Sequence, residues 1–183
     1  MIDVAIKYED EIKKLYPSTW FDDKYAYYWA TNYRFSYEIK PGTWNGCQFV
    51  SLDNTGKVLG LIGYTISRES DYVDGLAIIN FSDNKVVFGR DVQKVIDDMF
   101  TKYNFRKLEF YVIVGNPIEH TYDRLIKKYH GKIVGVYTDH VKLMDNYYYD
   151  EKIYEIFRDD YIMWKDIYRR RRCINKKEEL KND

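Results

Sequence analysis

Apolar positions change their rhythm along the chain, and the change comes just before residue 48. Upstream of it, residues 8–16 read as a short helix that Pro17 closes, since a proline ring cannot continue the hydrogen-bond ladder, and residues 21–30 read as a second helix. From there the pattern turns to strands. Residues 48–52 and 57–67 carry strand signals on either side of Asp53-Asn54-Thr55-Gly56, a turn chemistry that predicts a hairpin. A further turn at 68–71 leads into a third strand at 72–81, which makes an antiparallel meander the economical arrangement.

Helical spacing returns with Val92, Val95, Ile96, Met99, Phe100 and Tyr103, which predict an amphipathic helix over about 88–103 with one buried face. Residues 107–114 (KLEFYVIV) are almost continuously apolar, as expected of a strand covered on both faces after a crossover helix. Pro117 opens a second amphipathic helix whose apolar stripe is Ile118, Tyr122, Leu125, Ile126 and Tyr129, ending near His130-Gly131. Two more strands, 132–143 and 152–157, bracket a turn at Asp145-Asn146, and the residues after Asp159 read as a helix or a charged tail. The order is helices, three strands, helix, strand, helix, two strands. It implies a mixed α/β domain without internal repeats or linkers.

Composition narrows the partners. The chain has 183 residues, enough for one domain with a real core, and no apolar run approaches the length of a membrane span. No signal-peptide pattern opens it, so a cytoplasmic protein is expected. Cys47 and Cys173 stand alone, and His120, His130 and His140 have no ligand spacing, so neither a disulfide nor a metal site is expected. Lys plus Arg and Asp plus Glu balance at 29 each, which removes any global attraction to nucleic acid; Arg169 to Arg172 form the one basic cluster. Twenty tyrosines suit pocket walls and interfaces, although biased codon usage produces the same enrichment.

Three stretches carry a family resemblance. Asn116-Pro117-x4-Tyr122-Asp123-Arg124-Leu125, followed by Gly131-Lys132-Ile133-Val134-Gly135, resembles the N-P-x4-Y-[ED]-R-L…GGK-V-G stretch of GNAT acetyltransferases, with four extra residues before the glycines. Val73-Asp74-Gly75-Leu76-Ala77-Ile78 is similar to that family's I-E-G-L-A-V strand. Asn84-Lys85-Val86-Val87-Phe88-Gly89 stands where the family has its pyrophosphate loop, Q/R-x-x-G-x-G/A, and keeps only the last glycine. The resemblance spans residues 48–158; it leaves 1–46 as a helical, substrate-side region and 159–183 as a C-terminal helix or tail of a single domain. Residues beyond Met163 are expected to be dispensable for cofactor binding.

The resemblance implies a GNAT-like fold, a central, mixed and mostly antiparallel sheet of about six to seven strands flanked by helices. It also implies acetyl-CoA as cosubstrate and acetyl transfer to a primary amine of a small molecule or protein. In this picture Tyr122 is the general acid that protonates the departing thiolate, and Asp74 is the base for an amine that is mostly protonated at neutral pH. The implied cofactor-binding set is Ile78, Ile79, Asn80, Lys85, Val87, Phe88, Gly89, Arg90, Asn116 and Tyr122, with a backbone N–H near Ile79 polarising the thioester carbonyl. The amides of Phe88, Gly89 and Arg90 are expected to face the pyrophosphate. No metal, membrane or nucleic-acid partner is expected, and the protein is read as a monomer or homodimer. A catalytically silent GNAT-like binding module is the alternative, because the phosphate loop lacks its glycines.

Overall fold

The computed structural model describes residues 1–20, 22–28 and 38–179. Its strands are β1 (Ile2–Val4), β2 (Gly46–Leu52), β3 (Val58–Ser67), β4 (Tyr72–Asn80), β5 (Lys107–Ile113), β6 (Lys132–Lys142) and β7 (Tyr148–Phe157). Its α-helices are α1 (Glu9–Leu15), α2 (Lys85–Thr101), α3 (Glu119–Tyr129) and α4 (Arg158–Glu179), with short 3-10 turns around α1 and at Asp23–Tyr28. The strands form one sheet in the order β1-β2-β3-β4-β5-β7-β6, antiparallel at every junction except β4–β5. The fold is therefore the expected mixed α/β arrangement, with seven strands.

Local chemistry accounts for the elements. At the β2–β3 turn the Asp53 carboxylate accepts from the N–H groups of Thr55 and Lys57 at 2.8 and 3.0 Å, which closes the hairpin. Asn84 caps α2 by accepting from the Val87 N–H at 3.2 Å, so the helix begins at Lys85, three residues earlier than its apolar periodicity suggested. One face of α2, with Phe88, Val95, Ile96, Met99 and Phe100, is buried against the sheet. Phe88 lies flat on β3 at Gly60, where a Cβ would collide with its ring and with the Ile79 carbonyl.

Several expectations are corrected. β1 was not anticipated; three residues are too few to show a period, and they are held by pairing Ile2, Asp3 and Val4 with Ser51, Val50 and Phe49. Residues 23–28 form a 3-10 turn instead of an α-helix, and the remainder of that expected helix, 21 and 29–30, lies outside the described residues. β7 starts at Tyr148, four residues early, because Tyr148 and Tyr149 pair with Lys142 and Val141.

The C-terminal segment is a helix docked on the core. Tyr161 is 1% exposed; its ring lies 4.6 Å from Phe100 and 4.4 Å from Tyr129, so α4 ties α2 to α3. Trp164 stacks on His130 at 3.9 Å, and Lys165 pairs with Asp97. Trp164 and Lys165, beyond Met163, thus belong to the packed fold. Among the described residues, no helix is long and apolar enough to cross a membrane.

Tyr161→Ala removes a ring packed between two helices and should cost about 3–5 kcal/mol in denaturant unfolding. Tyr161→Phe, which deprives Gln93 of an acceptor at 2.9 Å and Asp97 of a donor at 3.4 Å, should cost about 1 kcal/mol.

Candidate active site

β4 and β5 stay together for only two residue pairs, Tyr72↔Lys107 and Val73↔Leu108. The cause lies in β4. Its register against β3 shifts between Gly63 and Thr65, opposite Gly75, whose φ of 63° is in the left-handed region that glycine tolerates. The bulge bends β4 away, while β5 continues straight, paired with β7 from Lys107↔Phe157 to Ile113↔Glu151. The two strands open like a V, and a cavity of about 540 Å³ fills the gap, with walls from β2 to β5, β7 and the N-terminal segment.

Divergence leaves one edge of β4 without a partner strand. The Phe81 N–H donates to the Leu59 carbonyl at 2.9 Å, and antiparallel pairing alternates, so Ile79 and Ala77 turn their backbone groups toward β3. Ile78 and Asn80 turn theirs into the V. The Asn80 carbonyl is met there by the Tyr25 hydroxyl at 3.0 Å. The Ile79 amide itself is thus committed to β3, and the neighbouring Ile78 amide faces the cleft.

Across the gap, Asn116 and Tyr122 line the cavity from the β5–α3 junction. Asn116 accepts from the Ile118 N–H at 3.1 Å and turns the chain into α3. That helix is pinned to β7: Lys152 pairs with Glu119, the Glu119 carboxylate also accepts from the Gly115 N–H at 3.0 Å, and the Tyr154 hydroxyl donates to Asp123 at 2.8 Å. The Tyr122 ring sits edge-on to Phe110 and Tyr154, 5.0 and 6.0 Å away. Burial, and to a lesser degree nearby Tyr28, push its phenol pKa up, so it stays protonated. Its hydroxyl makes no hydrogen bond among the described residues.

Two carboxylates stand near the cleft in different settings. Asp74 does not line the cavity; it lies behind Tyr111, whose hydroxyl is 3.1 Å from Asp74 and 2.7 Å from Glu109. Burial would raise Glu109, but Lys107 at 2.7 Å and Tyr111 outweigh it and hold the carboxyl below its usual range. Glu151 opens on the cavity directly. Burial raises its pKa, and His140, 3.6 Å away, opposes the rise only in part.

By sequence, no protein-family model and no curated protein matches the chain. By structure it resembles the spermidine N-acetyltransferase of Vibrio cholerae in complex with CoA and spermine. That match has a TM-score of 0.66 at 15% identity and covers 88% of this chain and 97% of that one. A chimeric spermidine N-acetyltransferase, also with Vibrio cholerae sequence, matches with a TM-score of 0.56 at 20% identity, over 84% of this chain and 79% of that one. The chain has the GNAT fold.

Within this GNAT fold the expected site residues divide into two groups. Ile78, Ile79, Asn116 and Tyr122 come together around the cavity, whereas Asn80, Lys85, Val87, Phe88, Gly89 and Arg90 lie outside its lining, at the far end of β4 and the start of α2. Phe88 faces the core, and the amides of Gly89 and Arg90 lie inside the helix that starts at Lys85. The Phe88 N–H is bonded to the Asn84 carbonyl at 3.3 Å, and Val87's amide is capped. The three amides expected to face a pyrophosphate are therefore already committed. Lys85 and Arg90 remain exposed beside the positive end of α2, and no atom crowds Gly89.

Sequence reasoning missed Glu151, Tyr111 and the Tyr27-Tyr28 pair, all of them lining the cavity. Glu151 and Tyr111 sit at alternating positions of strands whose inward face only the fold defines. Tyr27 bridges the V, packing on Tyr149 with its hydroxyl beside Gly115.

A carboxyl whose folded pKa is raised penalises the folded state once pH exceeds its unfolded value, because ionisation is easier after unfolding. Glu151→Gln removes that penalty. The melting temperature of the variant should exceed that of the parent at pH 7, and the gain should vanish by about pH 3, below the ordinary Glu range, where both states are protonated.

Proposed function

We propose that this protein is an acetyl-CoA-dependent N-acetyltransferase acting on a primary amine in the V between β4 and β5. One observation carries the reading: β4 presents a backbone edge without a partner strand at Ile78 and Asn80, facing a phenol, Tyr122, whose hydroxyl has no hydrogen-bond partner among the described residues. Such an edge accepts an extended, amide-rich chain as it would accept another strand, which is the character of the pantetheine arm. The residues fit that group on this criterion. Support comes also from the Vibrio cholerae neighbour, whose structure holds CoA and spermine at the same fold.

Acetyl-CoA supplies an acyl thioester whose carbon accepts the amine and whose sulfur leaves as a thiolate. The chain's own residues do the rest. The Ile78 N–H is available to the oxygen on which negative charge develops, and Asn116 borders the same space. Tyr122, held protonated by burial, gives its hydroxyl proton to the departing sulfur. The amine must first lose a proton, either directly to Glu151 or to Asp74 through the Tyr111 hydroxyl. Holding both reactants between two rigid walls removes much of the entropic barrier. Lys85 and Arg90 would meet the phosphates, with side chains taking the part that backbone amides cannot.

The capped start of α2 favours a second reading, a silent module that keeps the fold without the cosubstrate. Calorimetric titration separates the two. Saturable binding of acetyl-CoA is expected, and none at millimolar ligand would leave only the silent module. If Tyr122 is the acid, Tyr122→Phe should leave the melting temperature nearly unchanged, because the lost hydroxyl makes no hydrogen bond among the described residues. Turnover should then fall by about 10²-fold or more. Unchanged turnover would reject the role.

A further inference from the structure

The charge of the cavity wall restricts the amine it can hold. Only two charged side chains line the cavity among the described residues, Glu151 and Lys40. The Lys40 ammonium sits 2.9 Å from Glu38, so that pair is neutral. Asp74 and Glu109 are screened behind Tyr111, and Glu109 is neutralised by Lys107 at 2.7 Å. Residues 29–37 (WATNYRFSY) contain no acidic residue, so that stretch of the N-terminal region adds no carboxylate. Glu151, whose basic neighbour is His140 at 3.6 Å, is then the single carboxylate open to the cavity among the described residues. Around it the lining is uncharged apart from Lys40: tyrosines such as Tyr27, Tyr28 and Tyr64, aliphatic Leu61 and Ile78, and a few neutral polar side chains, among them Gln48 and Asn116.

Resting on the acetyl-transfer reading, we propose that the acceptor is a monoamine, a single ammonium on an aromatic or aliphatic body, with Glu151 as its one carboxylate partner. Glu151 draws the ammonium in and takes its proton, the nitrogen keeping the electron pair for attack. Tyrosine rings suit the remainder, since they offer apolar area and faces that attract a cation. A polyamine would place a second and a third ammonium in a cavity with no further carboxylate among its described lining residues. A charge taken from water without a partner is strongly disfavoured.

Calorimetric titration of the full chain with 2-phenylethylamine and with spermidine, each with and without coenzyme A, tests this. The monoamine should bind at least about 10-fold tighter, and Glu151→Gln should weaken it by about 10-fold or more, the scale of a lost charge-assisted contact. Lys40→Glu, a change on the rim that adds a second carboxylate, should tighten spermidine several-fold, an arm that does not depend on the Glu151 variant. Spermidine binding as tightly as the monoamine, a Glu151→Gln variant with unchanged amine affinity, or no binding of either amine would overturn the proposal. Loss of coenzyme A binding alone would count against acetyl transfer and leave the amine result intact.

Discussion

Parallel pairing of β4 and β5 ends after Val73↔Leu108, and the rest of the molecule is arranged around that ending. A strand edge without a partner is costly when it is dry, because each amide left unpaired forfeits its hydrogen bond. The cost is tolerable here because the edge opens into a cavity and because Tyr25 reaches across to satisfy the Asn80 carbonyl. Gly75 makes the bend possible, and the β5–β7 ladder makes it one-sided: β5 cannot follow β4 while all its residues are paired with β7.

Such an opening would close or spread if its walls were soft. One wall is stiffened by α2, whose Phe88 lies against Gly60 under β4 and β3. The other is stiffened by α3, bound to β7 through Lys152–Glu119 and Tyr154–Asp123. α4 joins the supports of both walls, since Tyr161 touches Phe100 of α2 and Tyr129 of α3. The geometry of the cleft therefore depends on a helix that follows the span of the sequence resemblance.

What could be read beforehand follows from range. α2 and β5 announce themselves through a helical stripe and a continuous apolar run, both local patterns. The Asn116 to Tyr122 spacing was also legible, because proline and the following helix fix their relative placement within a few residues. The β4 bulge was not: Gly75 is visible in the sequence, but a left-handed residue facing Thr65 exists only once β3 is in register. Glu151 was hidden for the same reason. Its exposure to the cavity depends on β7 pairing with β5, nearly forty residues away, and on the bend of a third strand. The starting point of α2 was misjudged because a polar residue, Asn84, and not the apolar stripe, sets where the helix begins.

A free strand edge also invites another chain to pair with it, the route to edge-to-edge aggregation. This molecule has two kinds. The β4 edge is recessed inside the V, where the Tyr25 hydroxyl covers the Asn80 carbonyl and Tyr27 lines the same cavity, so it is less open to a foreign strand than an outer edge. β6 is the outer edge, and Ile133, Val134, Val136 and Tyr137 are all about half exposed there. An edge kept indoors could, on the proposed reading, offer backbone to a small extended ligand while the hazard of strand addition stays at the outer margins of the sheet.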